Sequence, residues 1–150
     1  MTNNATPNPA GRPFTLLLAE DNVGDAMIVR HALKSSEADY ALHIVHDGLE
    51  ALEFLHKQYP FADAPTPDLI LMDINMPRMG GKECLRAIKQ DPALKTLPVA
   101  MLTSSDAPDD IRECYMAGAN CYLLKQFDVG AFREMLKDAV GFWSRVARVA

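Results

Sequence analysis

The chain has 150 residues, of which 49% are hydrophobic, and its formal net charge at pH 7 is −5. This composition predicts one compact domain with a full hydrophobic core, and it argues against nucleic acid as a partner because no run of basic residues is present. The three cysteines lack any CxxC spacing, so we expect reduced thiols and a cytoplasmic protein. No stretch approaches the length that spans a membrane.

The N-terminal segment, residues 1–13, is rich in Asn, Thr, Pro and Ala and has neither a basic start nor an apolar stretch. We therefore predict a disordered tail and not a signal peptide. The folded domain is expected over residues 14–142, and residues 143–150 are expected to extend its last helix.

Short apolar runs alternate with helical patterns along the chain, and each run is predicted to be a strand. The predicted strands cover residues 14–20, 41–46, 68–73, 97–103 and 120–124. Parallel strands require crossover connections, which the intervening helices supply, and the right-handed sense of these crossovers restricts the topology. The sequence thus predicts an α/β fold, a doubly wound (βα)5 domain built on one parallel sheet.

Residues with known capping preferences mark the ends of the predicted helices. Asn22 or Asp25 is expected to cap the first helix, and Gly118 is expected to end the fourth in a left-handed conformation. Asp128 is the predicted N-cap of the last helix. Phe127 and Phe132 have the spacing of a hydrophobic staple across its first turn.

An apolar stripe follows one face of the last predicted helix from Val129 to Val146. At ~1.5 Å per residue this helix would be about 27 Å long, whereas a strand of ~5–6 residues covers only ~17–20 Å. We therefore expect its final turns to pass the edge of the sheet and to expose Phe142, Trp143 and Val146 as a homodimer interface. In the alternative interpretation, Gly141 breaks the helix and Trp143 folds back onto the core.

Chemically useful side chains stand where the predicted strands end. They are Glu20 and Asp21 after the first strand, Asp73 after the third, Thr103 at the end of the fourth and Lys125 after the fifth. In open α/β sheets, ligands bind beyond the carboxyl ends of the strands. Each residue alone has an ordinary explanation as a cap, turn or surface residue. Their convergence favours a site for Mg²⁺ and a phosphoryl group, with an aspartate as nucleophile.

Four segments of the chain resemble the motifs of response-regulator receiver domains, whose fold is CheY-like. They are LLLAEDN at 16–22, LILMDINMPRMGG at 69–81, PVAMLTSS at 98–105 and AGANCYLLK at 117–125. The resemblance extends over residues 14–142 and implies the strand order 2-1-3-4-5. It implies a protein that accepts a phosphoryl group from a sensor histidine kinase in a Mg²⁺-dependent phosphorelay. Such a protein is not an enzyme, apart from slow self-dephosphorylation.

The same resemblance implies roles for the acidic residues. Asp73 would be the phosphoacceptor, and Mg²⁺ would be held by Asp21, Asp73 and the backbone carbonyl of Asn75. Glu20 stands where many members of the family have a second Asp. It would therefore act on the metal indirectly, through water.

The remaining implied roles fall on the fourth and fifth strands. Thr103 and Lys125 would contact the phosphoryl group, and Tyr122 would turn inward when the domain is phosphorylated. Gln126 departs from the family, in which a proline commonly follows the lysine across a cis bond. A cis bond before a residue other than proline costs about 3–4 kcal/mol, so the resemblance does not define the geometry of this loop.

A narrower resemblance is to stand-alone receivers that partner bacterial phytochromes. It rests on the proline-marked loop at 59–67, on NCYLLK followed by a residue other than proline, and on the Phe142–Trp143 pair. It implies a bacteriophytochrome kinase as the phosphoryl donor. From the chain length we expect no output domain.

Two other functions are compatible with this fold class. A metal-dependent phosphohydrolase with an aspartyl nucleophile needs a second titrating group beside Asp73, but Asn75, two residues later, cannot titrate. A flavin-binding module needs a phosphate-binding loop after the first strand, where Glu20 and Asp21 would repel phosphate. The receiver is therefore the favoured prediction, and the phosphohydrolase is the alternative.

Overall fold

A computed structural model describes residues 12–150 of the chain. The strands are β1 (Phe14–Ala19), β2 (Tyr40–Val45), β3 (Leu69–Met72), β4 (Val99–Thr103) and β5 (Cys121–Leu124). They form one parallel sheet in the order β2-β1-β3-β4-β5. The predicted α/β class, the parallel pairing and the implied strand order are thereby confirmed.

Helices cover both faces of this sheet. They are α1 (Val23–Lys34), α2 (Gly48–Leu55), α3 (Gly81–Gln90), α4 (Pro108–Met116) and α5 (Val129–Gly141). The first and last pack on one face, and the other three pack on the opposite face. Within residues 12–150, no helix is both long enough and apolar enough to cross a lipid bilayer.

The core has two layers because successive side chains of a strand point to opposite faces. In β1, Leu17 and Ala19 belong to the layer of α2, α3 and α4, whereas Leu16 and Leu18 belong to the layer of α1 and α5. β1, β3 and β4 are buried along their whole length, which explains their uninterrupted apolar sequences. Packing from both sides holds these strands in place and so positions the residues that follow them.

The helix ends confirm the predicted caps but not the predicted staple. Asn22 is the cap of α1, because its Oδ1 accepts a hydrogen bond from the Asp25 backbone N–H at 2.9 Å. Gly118 has the predicted left-handed backbone, with φ of +107°, and Asp128 caps α5. Phe127 is fully exposed, so the hydrophobic staple is wrong.

Arg12 anchors the chain just before β1. Its guanidinium donates to both carboxylate oxygens of Asp68, at 2.8 and 2.9 Å. Asp68 Oδ2 also accepts a hydrogen bond from the Thr15 backbone N–H at 2.8 Å. The predicted tail therefore ends before Arg12, and the rest of that prediction, residues 1–11, lies outside the described residues.

The chain beyond α5 does not continue as an α-helix. α5 ends at Gly141, and Phe142–Val146 form one short π-helical segment, which we call the π-turn. The 13 residues of α5 span about 20 Å. With the π-turn, the last helix is extended as far as Val146, but in π-helical form, and residues 147–150 lie outside it.

Trp143 packs against the core and is not part of an exposed patch. It lies against the layer of α1 and α5, where its side chain contacts Cys121, the first residue of β5. The next residue, Ser144, shares a hydrogen bond of 2.9 Å with the hydroxyl of Tyr40, the first residue of β2. Trp143 therefore packs on the core, as in the alternative interpretation, but Gly141 does not break the helix, because its backbone is right-handed helical and the π-turn follows it directly. Of the three predicted interface residues, Phe142 and Val146 are at the surface, with 51% and 69% of their area exposed.

Candidate functional site

Four predicted site residues lie at one edge of the sheet, where the strands end. Glu20 and Asp73 directly follow β1 and β3, Thr103 is the last residue of β4, and Lys125 directly follows β5. Glu20 is 1% exposed, Asp73 6% and Thr103 not at all. Buried polar side chains require partners, and here they find them in one another and in adjacent backbone groups.

Lys125 is the centre of this cluster. Its Nζ lies 2.8 Å from Glu20 Oε1, 3.0 Å from Asp73 Oδ2 and 2.7 Å from Asp25 Oδ2. Asp25, in the first turn of α1, is a partner that the sequence reasoning missed, because it treated this residue only as a possible cap. The ammonium group thus links the carboxyl ends of β1 and β3 to the start of α1.

The charges in this cluster change the proton affinities of its members. Burial raises the pKa of Glu20 to about 7, although the contact with Lys125 acts in the opposite direction. Burial disfavours the charged form of Lys125, but its contacts with Asp25, Glu20 and Asp73 outweigh burial and raise the pKa of its ammonium group. Lys125 is therefore a fixed positive charge beside two buried carboxyl groups.

The loop after β1 brings one buried and one exposed acidic side chain to the same edge. Glu20 Oε2 accepts a hydrogen bond from the Asn22 backbone N–H at 3.1 Å, which orients the carboxylate. Glu20 Oε1 has Lys125 as its ion-pair partner but accepts no well-directed hydrogen bond among the described residues. Asp21, which lies between Glu20 and Asn22 in the chain, is exposed. The exposed Asp21 carboxylate is therefore accessible to a cation.

The loop after β3 is held tightly against the strand that carries Asp73. A Cβ atom on Gly81 would lie only 2.0 Å from the Asp73 carbonyl oxygen, so glycine is the residue that fits this approach. Arg78 has a left-handed backbone, with φ of 62°, and its Nε donates to Asp47 Oδ2 at 2.7 Å. These contacts fix the path of the loop through Asn75, whose side chain is exposed.

The loop between β4 and α4 joins Thr103 to Tyr122. The Ser105 backbone N–H donates to Thr103 Oγ1 at 3.3 Å, and the Tyr122 hydroxyl donates to the Ser105 carbonyl at 2.7 Å. Tyr122 is half-buried, so its ring is turned toward this loop and not toward solvent. After β5, the Lys125 backbone N–H donates to the Thr103 carbonyl at 2.8 Å, and the bond from Lys125 to Gln126 is trans.

The donor set suits a hard cation together with a phosphoryl group. Carboxylate and carbonyl oxygens are preferred by Mg²⁺, which keeps several waters and shares its remaining positions with phosphate oxygens. In the part of the chain that the structure describes, no three His, Cys, Asp or Glu side chains are grouped closely enough to hold a metal by themselves. A cation here would therefore complete its shell with backbone oxygen, water or phosphate, which is the mode that Mg²⁺ adopts.

Comparison with known proteins identifies the family. The family model described as response regulator receiver domain matches residues 16–137 of the chain. The chain belongs to the response regulator receiver domain family. Its sheet order and the placement of acids, Thr103 and Lys125 at one edge are in keeping with the resemblance seen in the sequence.

Individual relatives match over nearly their whole length. Response regulator Rcp1 of Synechocystis sp. is 40% identical over 131 residues, which cover 87% of this chain and 89% of that protein. The Mn(2+)-bound form of Rcp1 has a TM-score of 0.87 and 38% identity, with 92% of this chain and 99% of that chain covered. These values support a receiver fold without large insertions.

Two further solved structures of response regulators resemble this chain to about the same degree. The phosphorylated cyanobacterial phytochrome response regulator RcpA has a TM-score of 0.88 and 36% identity, covering 92% of this chain and 99% of that chain. Response regulator RPA3017, which acts in red light signaling of R. palustris, has a TM-score of 0.85 and 32% identity, covering 93% of this chain and 99% of that chain.

Proposed function

We propose that Asp73 accepts a phosphoryl group from the phosphohistidine of a sensor histidine kinase in two-component signalling. The observation that carries the proposal is the buried Asp73 carboxylate, whose Oδ2 lies 3.0 Å from Lys125 Nζ at the shared edge of the sheet. A buried carboxylate in contact with a fixed ammonium group is held in one orientation, which suits a nucleophile. Family membership and the similarity to a phosphorylated receiver, RcpA, support the same function.

In the proposed transfer, a carboxylate oxygen of Asp73 attacks phosphorus as the bond from phosphorus to the donor histidine nitrogen breaks. The imidazole nitrogen keeps the electron pair of that bond, and the product is an acyl phosphate on Asp73. Lys125 offers an ammonium group and Thr103 a hydroxyl group to the phosphoryl oxygens, whose negative charge both would stabilise.

We propose that Mg²⁺ is held by Asp21, Asp73 and the backbone carbonyl of Asn75, with Glu20 acting through water. When bound, the cation offsets the negative charge that collects between the phosphoryl oxygens and the carboxylates. The exposed Asp21 carboxylate supports this assignment. The Mn(2+)-bound form of Rcp1 supports a divalent cation as the cofactor.

Tyr122 is the proposed switch residue. Its hydroxyl donates a hydrogen bond to the Ser105 carbonyl, and Ser105 contacts Thr103. A movement of Thr103 toward a phosphoryl group would therefore be transmitted to the Tyr122 ring.

No enzymatic turnover is proposed beyond slow self-dephosphorylation, because Asn75 supplies no general base beside Asp73. The phosphohydrolase alternative is therefore not favoured. A cytoplasmic location would suit the three cysteines, none of which is paired.

Transfer of labelled phosphate from autophosphorylated kinases tests this function directly. The wild-type protein is expected to become labelled only with a divalent cation, and reductive trapping followed by peptide mass spectrometry is expected to place the label on Asp73. Asp21→Ala is expected to need a higher Mg²⁺ concentration for the same rate, because one of two proposed carboxylate ligands is lost. Label on another residue, or cation-independent labelling, would contradict the proposal.

We propose a bacteriophytochrome kinase as the donor, supported by the similarity to RcpA and to a receiver of red light signaling. The same assay with several sensor kinases of one organism compares their initial rates. A phytochrome kinase is expected to transfer fastest, and equal or slower transfer than from unrelated kinases would remove this assignment while leaving the receiver function intact.

We further propose that the C-terminal end of the molecule forms a homodimer interface. Phe142 and Val146 are exposed neighbours on the π-turn, while Trp143 supports them from the core side through an edge-to-face contact with Phe142, ring centroids 5.6 Å apart. A two-fold pairing would bury each patch against the other copy's patch. The predicted role of Trp143 thus changes from contact residue to support.

Sedimentation of the purified protein tests the interface. Wild type is expected to be dimeric at tens of micromolar, and the double variant Phe142→Ser, Val146→Ser is expected to be monomeric and still folded, since both side chains are exposed. Val23→Ser is a matched control, because Val23 is equally exposed, at 70%, but lies on α1. A monomeric wild type would exclude the dimer.

A further inference from the structure

A charged contact between α3 and α4 lies outside the site described above. Lys82, the second residue of α3, places its Nζ 2.5 Å from Asp110 Oδ1 and 2.5 Å from Glu113 Oε2 on α4. The Lys82 side chain is 24% exposed and that of Asp110 is 28% exposed, so this pair is less solvated than ordinary surface pairs. Lys82 therefore holds the first turns of α4 against α3.

Asp110 also connects the contact between α3 and α4 to the β4–α4 loop of the candidate site. Asp110 Oδ2 accepts a hydrogen bond from Ser105 Oγ at 2.5 Å, so its two oxygens join Lys82 on one side to Ser105 on the other. The contact with Lys82, and then the contact with Ser105, hold the pKa of Asp110 below its usual value. Asp110 is thus an ionised acceptor at neutral pH, and the link from α3 to the β4–α4 loop does not depend on protonation there.

Ser105 in turn determines what the Thr103 hydroxyl can do. The Ser105 backbone N–H donates to Thr103 Oγ1 at 3.3 Å, which occupies an acceptor position of that oxygen. A hydroxyl group has one hydrogen to donate, and this contact leaves that hydrogen free to point away from Ser105. The Ser105 carbonyl meanwhile accepts from the Tyr122 hydroxyl. The position of one residue, Ser105, therefore sets both the donor direction of Thr103 and the inward position of Tyr122.

We propose that Lys82 is a positioning residue for phosphoryl transfer, acting through Asp110 and Ser105 to keep the Thr103 hydroxyl free to donate to the incoming phosphoryl group. This inference rests on the proposed phosphorylation of Asp73 and extends it to a residue on α3. Without the lysine charge, Asp110 loses its anchor on α3, and Ser105 is released with the loop that it holds. The consequence is a slower transfer and a less ordered Tyr122.

The test uses Lys82→Met, which keeps most of the length of the side chain and removes its charged end. The rate of Asp73 phosphorylation by a small acyl phosphate is expected to fall about fivefold, the effect of misplacing one neutral hydrogen bond in the transition state. Lys82→Arg is expected to restore most of the rate. Lys137→Met is the matched control, since among residues 12–150 Lys137 pairs only with the exposed Glu134, at 3.9 Å on α5, and it is expected to behave as wild type.

A Thr103→Ala background separates positioning from general damage to the fold. If Lys82 acts through the Thr103 hydroxyl, adding Lys82→Met to Thr103→Ala slows transfer no further. A further fivefold loss in that background, or an unchanged rate for Lys82→Met alone, would overturn the inference. A ¹⁹F signal from fluorotyrosine at position 122 is expected to broaden or shift in Lys82→Met and not in Lys137→Met. If wild type takes no phosphate on Asp73, the proposed function itself fails, and this inference fails with it.

Discussion

Asp73→Asn is expected to abolish phosphate uptake from both a phosphohistidine donor and a small acyl phosphate. The amide keeps the shape of the side chain but is a very poor nucleophile, so a loss of at least about 10³-fold is expected, as when other covalent nucleophiles are removed. The fold should survive, because removing one of the negative charges around Lys125 leaves Glu20 and Asp25 as its partners. Intact-protein mass spectrometry after donor exposure measures the outcome.

Asp63→Asn is the matched control for this experiment. Asp63 is exposed in the loop between α2 and β3, so the same chemical change there should leave phosphate uptake at the wild-type level. Equal uptake by wild type and Asp73→Asn would show that the phosphoacceptor is another residue. The assignment of Asp73 would then have to be abandoned.

Lys125→Met is expected to destabilise the metal-free protein by about 3 kcal/mol, because Glu20 and Asp73 would remain buried without a compensating charge. The Lys125 side chain is only 10% exposed, so solvent cannot replace its ammonium group. Urea unfolding in the presence of a chelator measures this loss. Phosphate uptake should also slow, since a proposed contact to the phosphoryl oxygens is gone.

Addition of Mg²⁺ should recover part of the stability of Lys125→Met, and by more than in wild type. The cation and the lysine would both neutralise the same carboxylates, so one partly compensates for the absence of the other. Lys137→Met is the control and should change stability by less than about 0.5 kcal/mol, as exposed pairs do. An unchanged metal-free stability in Lys125→Met would show that the lysine does not compensate the buried acids.

The sequence was sufficient for the sheet and for the main residues of its carboxyl edge. Strands buried on both faces leave uninterrupted apolar runs, so β1, β3 and β4 were recognisable, and the residue after each run was placed at the correct edge. The order of the strands in the sheet could not be predicted from the residues in the same way. Periodicity does not determine which strands are neighbours, and that order was expected only from the resemblance to receivers.

The details that were missed depend on contacts distant in sequence. Asp25 and Lys125 are 100 residues apart, and no local pattern relates them. Phe127 had the spacing of a staple, but its side chain projects into solvent. The sequence also did not decide the path of the chain after Gly141, because that path depends on whether the Trp143 ring packs beside the first residues of β2 and β5. Tertiary packing decides such questions, and local sequence preference does not.

The position of Trp143 has a practical consequence for spectroscopy. It is the single tryptophan of the chain, and it lies near Tyr40 and Cys121, where β2 and β5 begin. Asp73 is at the opposite edge, where the strands end. Intrinsic tryptophan emission should therefore report unfolding of the protein and dimerisation through the C-terminal π-turn. It should respond weakly to cation binding or phosphorylation. A fluorescent or ¹⁹F label on the tyrosine at 122 would be needed to observe the edge that carries the chemistry.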